Sequence, residues 1–262
     1  MGKAYKIGVF DSGIGGLTVA KAIKQELFNV PICYFGDTAH LPYGDKSAEL
    51  IFRYSKQIIA FLAKEDCTHI VVACNSASSV LAKYNFHEYE GIPIINVVDP
   101  VVQYLAKNDF IKSLGIIGTR ATINSQIYLN KIESASLEID VHAMATPLLA
   151  PMIEEGFVTN NISDLVIKNY LSYPDFLEVD ALLLACTHYP LIKKQVEQVL
   201  PKAQILDNSS LTAEFIAVEF PELKQQTEAI PDSFFVSDLT ESFKASTKHF
   251  FGESISLMEQ KL

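Results

Sequence analysis

The sequence has no tryptophan and only two arginines, Arg53 and Arg120, among its 262 residues. Its 31 acidic residues outnumber the 21 basic ones and leave a formal net charge of −10. A surface with this charge repels phosphate backbones and anionic lipid headgroups. The composition therefore argues against nucleic acid and against a membrane as primary partners.

Long apolar runs and paired cysteine motifs are also missing from the sequence. No apolar run reaches the roughly 18–20 residues of a membrane span, and residues 1–10 lack the pattern of a signal peptide, so we expect a cytoplasmic location. The four cysteines, Cys33, Cys67, Cys74 and Cys186, form no CxxC pair and no metal-knuckle spacing. We therefore expect neither a disulfide scaffold nor a structural metal.

Apolar runs of strand length alternate with amphipathic segments of helix length. This order predicts the α/β class, with mostly parallel sheets flanked by helices. The predicted strands are Lys6–Phe10, Pro31–Phe35, Thr68–Ala73, Ile92–Val98, Ser113–Ile117, Glu138–Met144, Val179–Ala185 and Ser233–Val236. The predicted helices are Leu17–Leu27, Ala48–Lys64, Ser76–Tyr84, Thr122–Leu129, Asn161–Leu171, Leu191–Leu200 and Leu239–Phe250. In the helix at 161–171, we expect Ile162, Leu165, Val166 and Asn169 to share one side.

The two halves of the chain resemble each other. The segment IGVFD at 7–11 is similar to LGIIGT at 114–119, and IVVACN at 70–75 is similar to LLLACT at 182–187. The number of residues between the two segments of the first half is also similar to the number between the two segments of the second half. This repetition predicts two pseudo-symmetric α/β lobes with the active site in the cleft between them.

Two cysteines occupy corresponding places in these predicted lobes. Cys74 and Cys186 each follow a buried strand and precede a polar turn that begins a helix. Ligands bind at the carboxyl ends of parallel strands, and the field of a helix N-terminus lowers the pKa of a thiol. We interpret both as functional thiols, whereas Cys33 and Cys67 are interpreted as core residues.

Two thiols that face one cleft from opposite lobes suit racemisation at an amino-acid α-carbon. This reaction needs a base on one face of the carbon and an acid on the other, and the two groups exchange roles in the reverse direction. A thiol can reach both protonation states near neutral pH.

The glycine-rich loop at 11–16 (DSGIGG) has neither the glycine spacing of a dinucleotide-binding loop nor a phosphate-binding lysine after it. We interpret it as a close backbone approach to a small anionic ligand, with Asp11 available to orient a proton carrier. The polar loop at 36–44 and the residues Glu154 and His188 are weaker indications of a functional site.

Six motifs match a known family in its own order. They are IGVFDSGIGGLTV (7–19), YFGDTAHLPYG (34–44), VVACNSAS (71–78), GIIGTRATI (115–123), PMIEEG (151–156) and LLLACTHYPLI (182–192). Over nearly its full length, the chain resembles the glutamate racemases of the aspartate/glutamate racemase superfamily. The resemblance implies interconversion of L- and D-glutamate for peptidoglycan synthesis, without cofactor or metal. It further implies a homodimer, with lobes formed by residues 1–98 plus 208–262 and by residues 99–207.

The resemblance also implies roles for individual residues. Cys74 resembles the base that takes the α-proton from D-glutamate, and Cys186 resembles the base for L-glutamate. Asp11 resembles the partner of Cys74, while Glu154 and His188 resemble the partners of Cys186. The implied substrate-binding residues are Asp11, Ser12, Pro42, Tyr43, Gly44, Asn75, Ser76, Thr119, Thr122, Thr187 and His188.

Two positions depart from the family's usual pattern: Ser76 stands where threonine is usual, and His40 stands where arginine is usual. Neither removes a group of the catalytic pattern. Two alternatives stay open at this point, namely an aspartate or related racemase of the same superfamily, and a regulatory binding protein on a racemase fold. His188 in the CTHYP motif favours glutamate.

Overall fold

Strands and helices alternate through most of the computed structural model, which describes residues 4–226 and 230–262. The strands are β1 Ile7–Asp11, β2 Ile32–Gly36, β3 His69–Val72, β4 Glu88–Tyr89, β5 Ile92–Asn96, β6 Ser113–Gly118, β7 Asp140–Ala145, β8 Ala181–Ala185, β9 Gln204–Asp207, β10 Ser233–Val236 and β11 Leu257–Glu259. The α-helices are α1 Leu17–Glu26, α2 Ala48–Lys64, α3 Asn75–Lys83, α4 Val98–Ala106, α5 Arg120–Asn124, α6 Ile127–Ser134, α7 Leu149–Glu154, α8 Asn161–Leu171, α9 Pro174–Leu177, α10 Lys193–Val199, α11 Asn208–Glu219 and α12 Glu241–Phe251. Short 3-10 turns lie at Thr38–His40, Tyr43–Asp45, Tyr189–Ile192 and Pro221–Gln225.

The strands form two separate sheets. The larger sheet has the order β11-β10-β2-β1-β3-β5-β4, and the smaller has the order β7-β6-β8-β9. All pairs are parallel except β4 with β5. The predicted α/β class with two lobes of mostly parallel sheet is confirmed. The lobe limits at residues 98 and 207 stay predictions.

The apolar core is continuous between the two sheets. One buried cluster contains Ile7 and Tyr34 of the larger sheet together with Leu182 and Leu184 of the smaller sheet. Helices α1 and α11 pack against each other in this region. Because burial of each such side chain contributes about 1.5–3 kcal/mol, this shared core holds the lobes together. None of the helices in the described ranges is both long and apolar enough to span a membrane.

One predicted helix, Thr122–Leu129, is wrong. The segment forms two helices, α5 and α6, with Gln126 between them in a left-handed conformation at φ 54°. The Ser125 hydroxyl donates to the carbonyl of Thr122 and accepts from the amide of Ile127. A serine that bonds its own backbone in this way competes with helix continuation, which explains the break.

The predicted apolar side of α8 is also wrong. Ile162 and Leu165 are 53% and 70% exposed, whereas Ser163, Ile167 and Leu171 are buried. A capping box with Asn160 fixes the first turn, because the Ser163 hydroxyl accepts from the Asn160 amide and the Asn160 side chain accepts from the Ser163 amide. Since residues four apart share a helix face, this inward Ser163 places Ile167 and Leu171 toward the core.

Candidate active site

A cavity of about 220 Å³ lies where the carboxyl ends of the two sheets meet. Its walls come from the loops after β1, β2 and β3 of the larger sheet and after β6, β7 and β8 of the smaller one. This placement follows the general rule that parallel strands present their ligand sites at their carboxyl ends. The lining residues are Ser12, Gly13, Leu41, Pro42, Tyr43, Gly44, Cys74, Asn75, Ser76, Thr119, Ala150, Pro151, Glu154, Cys186, Thr187 and His188.

Most of the residues predicted from the sequence line this cavity, and two lie behind it. Asp11 is fully buried and accepts hydrogen bonds from the amide of Gly13 (3.1 Å) and the hydroxyl of Thr187 (3.4 Å). Thr122 is buried beside Thr119, with 3.1 Å between their hydroxyl oxygens. The sequence did not predict the lining residues Gly13, Leu41, Ala150 and Pro151.

Cys74 occupies the N-cap position of α3, two residues after the end of β3, and is 5% exposed. Its Sγ donates to the hydroxyl of Ser12 over 3.6 Å. Burial, followed by the negative charge of Asp11, raises the pKa of the Cys74 thiol to about 12. The predicted lowering of this pKa by the helix is therefore wrong, because desolvation and a neighbouring carboxylate outweigh the helix field. Cys74 is held as a protonated thiol.

Cys186 follows β8 and begins a chain of polar contacts. Its Sγ lies 3.7 Å from Nδ1 of His188, and Nε2 of His188 lies 2.8 Å from Oε1 of Glu154. Burial alone lowers the pKa of His188, but its hydrogen bonds with Cys186 and Glu154 outweigh this effect and raise the pKa well above its ordinary value. The protonated imidazole is the form that a Cys186 thiolate and the Glu154 carboxylate stabilise together.

The two thiols therefore have different surroundings. Cys74 has a hydroxyl and a buried carboxyl group as neighbours, whereas Cys186 has a protonated imidazole. The cavity thus has a protonated thiol on one wall and, on the other, a thiol with a protonated imidazole beside it. This arrangement suits the transfer of one proton to a sulfur and of another from the opposite sulfur.

Ser12 and Gly13 of the glycine-rich loop line the cavity, whereas Gly15 packs closely against the loop after β8. A Cβ atom on Gly15 would lie 2.5 Å from Oγ1 of Thr187 and 2.6 Å from the ring of His188. Thr18 strengthens this contact, since its hydroxyl donates to the carbonyl of Thr187 over 3.0 Å. The loop after β1 therefore supports the loop that carries Cys186.

Three hydroxyl groups meet where the loops after β3 and β6 converge. The Ser76 oxygen lies 2.9 Å from that of Thr119 and 3.5 Å from that of Thr122. Thr119 is also the N-cap of α5 and accepts from the amide of Thr122. The cluster holds neutral donors at the cavity wall, which can bind a carboxylate without arginine.

Asp37 organises the wall formed by the loop after β2. Its carboxylate accepts from the hydroxyl of Tyr43 (2.5 Å) and the hydroxyl of Ser237 (2.8 Å), and Nδ1 of His40 lies 2.8 Å away. His40 also stacks on Tyr54 with 4.0 Å between ring centroids. From the sequence, Asp37 was only a weak candidate, because an aspartate in a Gly-Asp-Thr turn is usually a surface residue.

Another contact that sequence reasoning missed comes from α12. The ring of Phe250 meets the ring of His188 edge-on, with 5.3 Å between the centroids. Its partner lies 62 positions away along the chain, and no motif around Phe250 signals the contact.

Known proteins resemble this chain in sequence and in structure. A family model described as Asp/Glu/Hydantoin racemase matches residues 18–216. A glutamate racemase from Aquifex aeolicus is 42% identical over 79% of this chain and 80% of its own length. One from Persephonella marina is 36% identical over 98% of this chain and 97% of its own.

A solved structure also resembles this chain. The crystal structure of glutamate racemase from Francisella tularensis, in complex with D-glutamate, has a TM-score of 0.90 and 34% identity, and covers 98% of both chains. The likeness therefore extends over nearly the whole of both chains. The chain belongs to the Asp/Glu/Hydantoin racemase family.

Proposed function

We propose that this protein is an enzyme that interconverts L-glutamate and D-glutamate. One observation carries the proposal: two thiols on loops of different sheets, Cys74 and Cys186, line a single small cavity. The names of its relatives support the choice of glutamate as substrate. Neutral donors on the cavity walls would bind the substrate carboxylates, as the hydroxyl groups of Ser76 and Thr119 illustrate.

The different surroundings of the two thiols suit the starting arrangement for L-glutamate, with Cys74 as the proton donor. For L-glutamate, the Cys186 thiolate takes the α-proton while Cys74 donates its thiol proton to the opposite face of the carbon. The product is D-glutamate, and the enzyme is left with a Cys186 thiol and a Cys74 thiolate. The same two transfers in reverse convert D-glutamate to L-glutamate and restore the first arrangement.

Glu154, His188 and Asp11 have supporting roles in this proposal. The His188 imidazolium, held by Glu154, stabilises the Cys186 thiolate. Burial and, after it, the charge of Asp11 raise the pKa of Cys74 and so keep it as the proton donor. Ser12, Pro42, Tyr43, Gly44, Asn75, Thr119, Thr122 and Thr187 would bind or position the substrate.

Exchange of the α-proton with deuterated solvent tests the two-thiol mechanism. Because a positioned acid or base contributes about 10²–10⁴-fold, Cys74→Ser and Cys186→Ser should each reduce racemisation at least about a hundredfold. Cys67→Ser is the control, because Cys67 is buried outside the cavity. Near wild-type turnover in either cavity variant would contradict the mechanism. The same assay with aspartate tests the selectivity.

The product suggests a role in the cell. We propose that the D-glutamate supplies peptidoglycan synthesis, and that the protein acts in the cytoplasm as a homodimer. Depletion of the protein from its host should then create a requirement for external D-glutamate, and sedimentation should show twice the chain mass. Growth without D-glutamate would refute the cellular role.

A further inference from the structure

Asn75 stands at the first position of α3 and lines the cavity, yet its side chain is also part of a buried triangle. The hydroxyl of Tyr128 donates to Oδ1 of Asn75 over 2.6 Å. Nδ2 of Asn208 donates to the same Oδ1 over 2.7 Å and to the Tyr128 hydroxyl over 2.9 Å. Every side of the triangle is a hydrogen bond, and all three residues are buried.

The triangle satisfies the full hydrogen-bonding capacity of the carbonyl oxygen of the Asn75 side chain. Oδ1 accepts two hydrogen bonds, which is the capacity of an amide oxygen. Nδ2 of Asn75 is buried and has no hydrogen-bond partner among residues 4–226 and 230–262. A buried donor without a partner is costly in a folded protein, so it indicates a position at which a ligand accepts.

The orientation of this amide decides what the cavity offers to a ligand. With Oδ1 held in the triangle, Asn75 presents its NH2 group, which donates to a carboxylate. If the amide were turned over, its carbonyl oxygen would face the cavity and repel the same carboxylate. The amide can turn only if Tyr128 and Asn208 reverse their hydrogen bonds at the same time.

We propose that Tyr128 and Asn208 are positioning residues that hold the Asn75 NH2 group toward a carboxylate of the substrate. The proposal rests on the proposed function, since it assumes an anionic amino acid in the cavity. Tyr128 belongs to α6, beside the smaller sheet, and Asn208 begins α11, so the amide is fixed only when these segments are in place around α3. Neither residue touches the cavity itself.

A double-mutant cycle with Asn75→Ala tests the proposal. Tyr128→Phe and Asn208→Leu should each raise KM for D-glutamate about three- to tenfold, the worth of one hydrogen bond, with kcat changed less than twofold. In the Asn75→Ala background, the same substitutions should leave KM unchanged, because they act through Asn75. Tyr104→Phe is the matched control, since the Tyr104 hydroxyl accepts from Gln204 at the surface and should affect neither constant.

Several outcomes would overturn this inference. One is an unchanged KM in the single variants, and another is a rise of the same size in the Asn75→Ala background, which would indicate general destabilisation. A fall in kcat alone would also contradict it.

Calorimetric binding of D-glutamate to the same variants separates the two proposals. Binding without racemisation would refute the proposed reaction, and the affinities of the variants would still test the role of Tyr128 and Asn208. A wild-type protein that binds no glutamate would refute both proposals.

Discussion

At the scale of single residues, the two thiols differ in how their protonation states are held. Burial and Asp11 keep Cys74 protonated, whereas His188 with Glu154 provides a positive charge beside Cys186. Similar cysteine motifs therefore have dissimilar electrostatics. The sequence could predict the positions of the sulfurs, because both end a buried strand, but it could not predict this difference.

Glu154→Gln should lower the pKa of His188, because it replaces the carboxylate that stabilises the imidazolium. A hydrogen bond to a charged group contributes about 1.5–3 kcal/mol, so turnover of L-glutamate should fall roughly tenfold or more. The pKa can be followed by NMR titration of the imidazole, and turnover by the change in optical rotation. Glu155→Gln is the control, since Glu155 is exposed. An unchanged His188 pKa would contradict the proposed contact.

Gly15→Ala should both destabilise the protein and reduce turnover. Its Cβ would meet Thr187 and His188 at 2.5–2.6 Å, and relief of such overpacking costs about 1–3 kcal/mol. Urea denaturation measures the loss of stability, and kcat measures the displacement of His188. Gly13→Ala is the comparison for stability, because its Cβ would lie 3.5 Å from Leu41, an ordinary contact. Equal losses of stability would count against the close approach at Gly15.

At the scale of helices and strands, buried strands were the most predictable parts. Ile32–Gly36, His69–Val72 and Ser233–Val236 each lie within a residue or two of the predicted bounds, because short apolar runs between polar turns have few alternatives. Helices α4, α7, α9 and α11 were not predicted. In α11, buried residues such as Asn208, Thr212 and Ile216 include polar side chains, so its sequence has no simple apolar stripe.

The capping box of α8 predicts that a substitution there lowers the stability of the protein and leaves its activity unchanged. Asn160→Ala removes two hydrogen bonds, to the amides of Ile162 and Ser163, and should cost about 1 kcal/mol in the free energy of unfolding. The kcat should stay at the wild-type value, since α8 contributes no residue to the cavity wall. Ser47→Ala on α2 should cost less, because Ser47 accepts one long bond of 3.3 Å from Leu50. A larger loss at Ser47 would show that the box does not anchor α8.

At the scale of the whole molecule, the candidate site exists only where six loops of two sheets meet. The rule that ligands bind at the carboxyl ends of parallel strands made most of its residues predictable from the sequence. The contacts of Asp37, Asn208 and Phe250 were not predictable, because their partners are set by how the sheets and tail helix pack. Sequence spacing says little about such pairs, which lie up to 200 positions apart.

A ligand enclosed by both lobes should stabilise the entire molecule. At a concentration of about 100 times Kd, D-glutamate should add about 2.7 kcal/mol to the free energy of unfolding. Thermal melting of the Cys74→Ser variant measures this without turnover. D-alanine is the control, because it lacks the second carboxylate and should give a smaller rise in Tm. Equal shifts with both amino acids would indicate that the side-chain carboxylate is not recognised.

The return of β10 to the larger sheet has a consequence for biosynthesis. Strands β6 to β9 are consecutive in the chain, so the smaller sheet has all its strands once residue 207 has left the ribosome. The outer edge of β2 stays without its β10 partner until residues 233–236 have also emerged. During translation, the smaller sheet is therefore complete before the larger one. In the meantime, the open edge of β2 is exposed to other chains.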